Sequence, residues 1–164
     1  LRYRPGYGDR LGSGRFKLTP LIFSAQYNAE NWSLTSEYAS RRTSVKDFGR
    51  FFYNGDATGE SYYLQGTYRL APKWEALLRY DVYYADRGDR DGEDFSAATR
   101  LPGFTRFAKD WTFGVRFDVT PQFMLRAEVH RVNGSGFLAV QDNPNARDLR
   151  QYWDNFMLLG SFRF

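Results

Sequence analysis

The sequence predicts an all-β protein, a transmembrane antiparallel up-and-down β-barrel, and three observations predict it. Apolar and polar side chains alternate with a two-residue period, connections between the alternating segments are short and long in turn, and aromatic residues gather near segment ends. The 164 residues suit a single domain, residues 1–164. Hydrophobic residues make up 42% and aromatic residues 19%, too aromatic for a disordered chain. No apolar run exceeds four residues, as at Phe156–Leu159, far short of the ~18 that a membrane-spanning helix needs. There is no cysteine, which excludes disulfides and thiolate metal sites. The net charge is +4 with a pI near 9.4, and 19 of the 23 basic residues are arginine. That balance fits phosphate-bearing partners, lipid head groups as readily as nucleic acid. The chain opens at Leu1 without Met or a signal-like apolar segment, so it reads as processed or as a piece of something longer.

Seven segments carry the alternation, in order 16–28, 31–41, 61–70, 73–86, 110–119, 122–133 and 152–164. In the fourth, Trp74, Ala76, Leu78, Tyr80, Val82 and Tyr84 share one face, and Glu75, Leu77, Arg79, Asp81 and Tyr83 share the other. The fifth repeats this, with Trp111, Phe113, Val115, Phe117 and Val119 opposite Thr112, Gly114, Arg116 and Asp118. Segments of about ten residues exceed the usual soluble strand of ~5–6 and match the ~9–11 of a tilted membrane strand. No helical template fits a window of comparable length. Short connections fall at Asn28–Asn31, Leu70–Lys73 and Val119–Gln122, where Pro72 and Pro121 cost no ladder bond. Long ones, rich in Gly, Asp, Asn and Arg, fall near 42–60, 87–109 and 134–151 and are expected to be extracellular. Trp32, Trp74, Trp111 and Phe123 are expected in a girdle at the short-turn end, and Tyr38, Tyr62, Tyr84 and Tyr152 in a second girdle at the other. A soluble barrel or sandwich is the competing reading, but its apolar face would need a core to fill.

The last segment ends Tyr152-Trp-Asp-Asn-Phe-Met-Leu-Leu-Gly-Ser-Phe-Arg-Phe164, with Phe156, Leu158, Gly160, Phe162 and Phe164 on one face. It resembles the C-terminal β-signal of Gram-negative outer-membrane proteins. The whole chain resembles the C-terminal part of proteobacterial porin-like barrels, in which segments like Ala127-Glu-Val-His-Arg-Val-Asn-Gly134 and a closing Phe-Arg-Phe recur. The resemblance implies an outer-membrane location, Phe156, Leu158, Phe162 and Phe164 as the assembly signal, and the barrel-assembly machinery as a partner. A periplasmic C-terminus would make the first and seventh strands both run inward, whereas single-chain bacterial barrels have even strand counts. The chain is therefore expected to be the C-terminal portion of a larger barrel, or else Leu1–Tyr7 ends an eighth strand that closes a small one.

The candidate sites are few. His130, the one histidine, faces inward by parity beside Glu128 and Arg126 and reads as a lumen histidine. An enzyme reading would need it to meet an inward Ser or carboxylate. Asp86-Arg-Gly-Asp-Arg-Asp-Gly-Glu-Asp94 has spaced carboxylates but fails the EF-hand template, with Arg87 and Ala98 at ligand positions, and reads as a solvated loop. Gly8-Asp-Arg-Leu-Gly-Ser-Gly14 lacks the Gly-Lys-Ser/Thr of a phosphate loop. Asn31-Trp-Ser33 and Asn133-Gly-Ser135 are chance glycosylation matches in a bacterial barrel. Arg4, Arg41, Arg42, Arg131, Arg147 and Arg150, in loops or at outer strand ends, suit lipopolysaccharide phosphates as well as plain solubility. No cofactor, metal or nucleic acid is called for; outer-membrane lipid is the expected environment, and a homo-oligomer or partner protein is compatible. The expected function is passive diffusion of small hydrophilic solutes. An outer-membrane enzyme using His130, or a scaffolding barrel with a lumen plugged by its own ion pairs, are the alternatives. On the inward parity stand Lys17, Arg69, Arg79, Arg116, Arg126 and Arg163 against Glu37, Glu75, Asp81, Asp118 and Glu128. Hairpin registers that set Arg69 opposite Glu75, and Arg116 opposite Arg126 with Asp118 and Glu128 on the diagonals, would give the pore wall a modest anion preference.

Overall fold

The computed structural model describes residues 2–3, 13–48, 55–139 and 141–164. They form one antiparallel sheet in which every strand pairs with its neighbour in sequence. The strands are β1 (Arg2–Tyr3), β2 (Gly14–Asn28), β3 (Trp32–Lys46), β4 (Gly55–Ala71), β5 (Trp74–Tyr84), β6 (Phe107–Asp118), β7 (Phe123–Asn133) and β8 (Tyr152–Phe162). Among the described residues the sheet is open: β8 pairs with β7 alone, and β2 pairs with β3 and with two residues of β1. Seven long antiparallel strands leave β2 and β8 running in the same direction. Short turns join β2 to β3, β4 to β5 and β6 to β7 at one end, called lower here; the longer connections lie at the upper end. The segment between β5 and β6 contains the helix α1 (Glu93–Thr99) and a 3-10 turn, Gly103–Arg106.

Alternation dictates this sheet, and the register shows how. Tyr84 opposes Phe107, Leu78 opposes Phe113 and Trp74 opposes Phe117, so apolar side chains form continuous rows across strands. No second layer covers that face among the described residues. Phe156, Leu158 and Phe162 are 75%, 78% and 64% exposed, so a buried core explains little of the apolar content. Among the described residues a compact buried cluster forms from Val82, Tyr84 and Phe107 near the upper end, with Tyr80 and Phe104 against it.

Several expectations need correction. β3 and β4 run on to Lys46 and back from Gly55, through residues expected to be loop. Their outward side chains there are Arg42, Ser44, Lys46, Asp56 and Thr58, a polar stretch in which an apolar alternation has nothing to mark. β6 starts at Phe107, inside the expected 87–109 loop, and β5 stops at Tyr84. Trp111 opposes Tyr80, close to the long connection rather than a short turn, so it is not part of the lower girdle. Lys17 opposes Ser44 on the outward face, because β2 carries Phe16, Leu18, Pro20 and Ile22 on the inward parity. Leu1–Tyr7 does not close a barrel through its described residues: Arg2 and Tyr3 pair with Arg15 and Gly14 of β2, not with β8. Leu1, Arg4–Tyr7 and Gly8–Gly12 lie outside the described residues.

Candidate functional site

The outward face is divided by two lines that are oblique to the hydrogen-bonded rows. The lowest charged side chain on that face is Asp154 on β8, Arg131 on β7, Lys109 on β6, Glu60 on β4, Arg42 on β3 and Lys17 on β2; β5 has none. From Asp154 to Lys17 this line climbs four rows, eight residues, over six strand steps. With ~3.3 Å per residue and ~4.8 Å between strands, that slope is about 40°. The lowest aromatics climb the same way: Phe162, Phe123, Phe117, Trp74, Tyr68, Trp32 and Tyr27 from β8 to β2. Their slope is about 35° by the same spacings. Between the two lines lies an uncharged belt of eight to ten residues per strand, about 20–25 Å tall once the tilt is included. Ring pairs reinforce the lower line, Trp74 with Phe117 at 4.5 Å and Tyr27 with Trp32 at 5.3 Å between centroids.

The inward face carries the charge. Arg69 opposes Glu75 and Arg116 opposes Arg126, the registers expected from the two proline turns. Arg116 takes Asp118 at 2.8 Å and Arg126 takes Glu128 at 3.4 Å, each two residues along its own strand. The two arginines therefore face each other with their charges already met. Arg79 donates to Asp81 at 2.7 Å through Nε, and its guanidinium stacks on the Tyr63 ring at 4.2 Å.

Next to these stands a cluster that the sequence reading did not assemble. Asp110 opposes Asp81 and lies two residues from Thr112, which opposes both Arg79 and His130. His130 Nδ1 sits 2.7 Å from Asp110 Oδ2 and 3.0 Å from Thr112 Oγ1, with Glu128 Oε2 3.5 Å from Nε2. Asp110 Oδ1 and His130 Nε2 are buried without a hydrogen-bond partner. A nucleophile would have to stand within hydrogen-bond reach of Nε2, and among the described residues none does; the hydroxyl of Thr112 shares the Nδ1 side with Asp110. Asp110 shares the even parity of Arg116, and that was the signal available for it. Arg41 likewise faces inward on β3, opposite Pro20 and Gly59. With these two added and Lys17 removed, the inward wall has Arg41, Arg69, Arg79, Arg116, Arg126 and Arg163 against Glu37, Glu75, Asp81, Asp110, Asp118 and Glu128, a balance of charge.

A pocket of about 390 Å³ lies over the cluster, lined among others by Gln65, Arg79, Asp110, His130 and Phe137. Phe137 comes from the segment after β7, which turns back on the sheet through Gly134 and Gly136. Gly136 N–H donates to Phe107 O at 2.9 Å, and the Phe137 ring meets Tyr83 at 5.9 Å. On the other side, the segment between β5 and β6 packs over the upper end of the outward face. Arg90 reaches Glu60 at 2.6 Å, and that hydrogen bond holds its guanidinium above the ordinary arginine range. In the same segment Asp86, Asp89 and Asp91 accept backbone N–H groups of Gly88, Asp94, Phe95 and Glu93, so the spaced carboxylates serve as turn and helix caps. Phe156, Leu158 and Phe162, the residues expected to form an assembly signal, share one face of β8, and Phe164 follows at the same parity. Set against protein-family models, curated proteins and solved structures, the chain finds no match.

Proposed function

We propose that this chain is part of the wall of a transmembrane β-barrel in a Gram-negative outer membrane, and that its inward face lines a passive channel for small hydrophilic solutes. The observation that carries the reading is the pair of oblique boundaries on the outward face. Strands of membrane barrels tilt by ~35–45° and present an apolar band ~25 Å tall with aromatic girdles at both edges. A bilayer demands such a belt; a soluble sheet has no reason to keep charge off one face along two parallel oblique lines. The bilayer also requires both sheet edges to be paired, so the barrel closes through further strands between β8 and β2. Because β2 and β8 run in the same direction, an antiparallel closure takes an odd number of them, the first being β1. Phe156, Leu158, Phe162 and Phe164 then serve the barrel-assembly machinery as its recognition strand.

In such a channel the wall groups do no chemistry: they replace part of a solute's hydration and set a weak field. The balanced charge and the ion pairs along β5, β6 and β7 make that field nearly neutral, with at most a weak anion preference. Reconstitution in vesicles of brominated lipid, followed by planar-bilayer recording, tests the reading. Quenching of tryptophan fluorescence together with stepwise conductance is the expected result. Unquenched tryptophan would overturn the membrane reading; quenching without conductance would overturn the channel and leave a plugged, scaffolding barrel.

A further inference from the structure

We infer that the outward face of the β2–β4 arm, just above the apolar belt, docks a lipid whose headgroup carries two phosphates, the diphosphorylated disaccharide anchor of lipopolysaccharide. This rests on the reading of the chain as membrane wall. Four cations share this surface: Arg15, Lys17, Arg42 and Lys46. Arg15 and Lys46 are direct cross-strand partners, and Lys17, opposite Ser44, is diagonal to both Arg42 and Lys46. Like charges in such positions repel, so an anion is needed to offset them. Two carboxylates answer part of this, Asp47 to Arg15 at 2.9 Å and Asp56 to Arg42 at 3.5 Å. Among the described residues Lys17 and Lys46 form no direct ion pair and both are exposed; Lys46 shares the field of Asp56 with Arg42 at longer range, which leaves one carboxylate for two cations.

The other cations along the upper line are already engaged. Arg131 holds Asp154 at 2.8 Å, Arg90 holds Glu60, and Lys109 stands over the rings of Tyr84 and Phe107. Below the arm's cations, Leu21 and Phe23 are more than half exposed. A ligand that satisfies both must be anionic above and apolar below, which describes a lipid and not a free phosphate. The cationic rows from Arg42 to Lys46 span about 13 Å along the strand, enough for two phosphates on one disaccharide, whereas a single phosphodiester meets one row.

The closed barrel that contains this chain is reconstituted in brominated phosphatidylcholine vesicles doped with diphosphoryl lipid A, monophosphoryl lipid A or phosphatidylglycerol. Tryptophan quenching is read first, then the lipid retained by the protein after mild-detergent extraction, by native mass spectrometry. Diphosphoryl lipid A is expected to be retained on the order of tenfold more strongly than the other two. K17Q/K46Q is expected to abolish that preference, while K73Q at the lower turn keeps it. Equal retention of phosphatidylglycerol, or a preference that survives K17Q/K46Q, in protein whose tryptophans are quenched overturns this inference alone. Unquenched tryptophans overturn the membrane reading and the inference with it.

Discussion

On the inward side of the β6–β7 hairpin, Asp110, Asp118 and Glu128 each hold a basic partner, and Asp110 and Thr112 are buried. On the inward side of the β2–β3 hairpin, Glu37 accepts the Ser24 hydroxyl at 2.9 Å in an exposed setting, and β2 contributes Phe16, Leu18, Pro20 and Ile22. Both hairpins have a short lower turn and an uncharged outward belt, so the same outward pattern is compatible with very different inward faces. The outward face answers to the solvent it meets and the inward face to what it packs or passes. The β6–β7 interior has a charge network at its centre and a strap folded over it, which marks it as the half where the wall is constrained. Among the described residues the sheet instead stands open at β8 and along β2 beyond its two pairs with β1.

The contrast can be broken by removing one member of each arrangement. His130→Ala leaves the Asp110 carboxylate, 9% exposed, with Thr112 as its remaining hydrogen-bond partner and Arg79 as the nearby cation. Removing one partner of a buried pair costs several kcal/mol, so about 3 kcal/mol should be lost in urea unfolding of the reconstituted protein. Glu37→Gln should stay within about 0.5 kcal/mol, because its hydrogen bond is open to solvent. Equal costs would mean that the two interiors are not differently built. Gly134→Ala tests the strap itself. Gly134 has φ +100°, and an added Cβ would fall 2.2 Å from Phe107 O, so strain and clash together should cost about 2 kcal/mol. It should also displace Phe137 from the pocket and raise single-channel conductance; unchanged stability and conductance would show that the strap is not held as described.

A smaller effect separates charge from packing on the same hairpin. In R116Q/R126Q, Asp118 and Glu128 lose their partners while the backbone register is untouched. Reversal potentials in a KCl gradient should shift toward cations by at least about fourfold in permeability ratio, since each of the two unit charges removed is worth about 0.4 kcal/mol at roughly 10 Å from a passing ion in water. An unchanged ratio would remove these residues from the lining of the proposed pore.

The pattern of belt, turns and hairpin registers was legible because period-two alternation and proline turns are local. Arg69 opposite Glu75 needed only the position of Pro72 and the requirement that apolar faces coincide. What escaped depended on distance along the sheet. Lys17 was assigned to the wrong face because β2 is apolar on both parities, so its own sequence does not say which side is outward; only pairing with β3 decides. Asp110 stands near a strand end and the Phe137 strap inside a loop, and neither position has a periodicity to read. The oblique boundary could not be seen in any one strand, because it is a relation among six of them.

The smallest expected effect lies in the segment over the upper end, away from both hairpins' interiors. α1 is only seven residues long, and its N-cap, Gly92, has no side chain to receive the first N–H groups. Asp89 supplies that function from outside the helix: its carboxylate accepts Asp94 N–H at 3.1 Å and Phe95 N–H at 2.9 Å. The Phe95 bond is the main reason its pKa falls below the ordinary 3.8; desolvation opposes it, and the Asp94 bond adds to the lowering. A carboxylate whose folded pKa is depressed contributes stability that is fully present above the unfolded value and lost as pH falls through the folded one. The window therefore opens below pH 3.8. Amide exchange at Asp94 and Phe95, corrected for intrinsic rate, should be slow at pH 5 and accelerate as the pH drops below that value. Asp89→Ala should show the faster exchange at every pH, while the amides of β6 and β7 exchange as before. If Asp89→Ala leaves both amides protected at pH 5, the cap is supplied by some other group and the helix does not depend on this carboxylate.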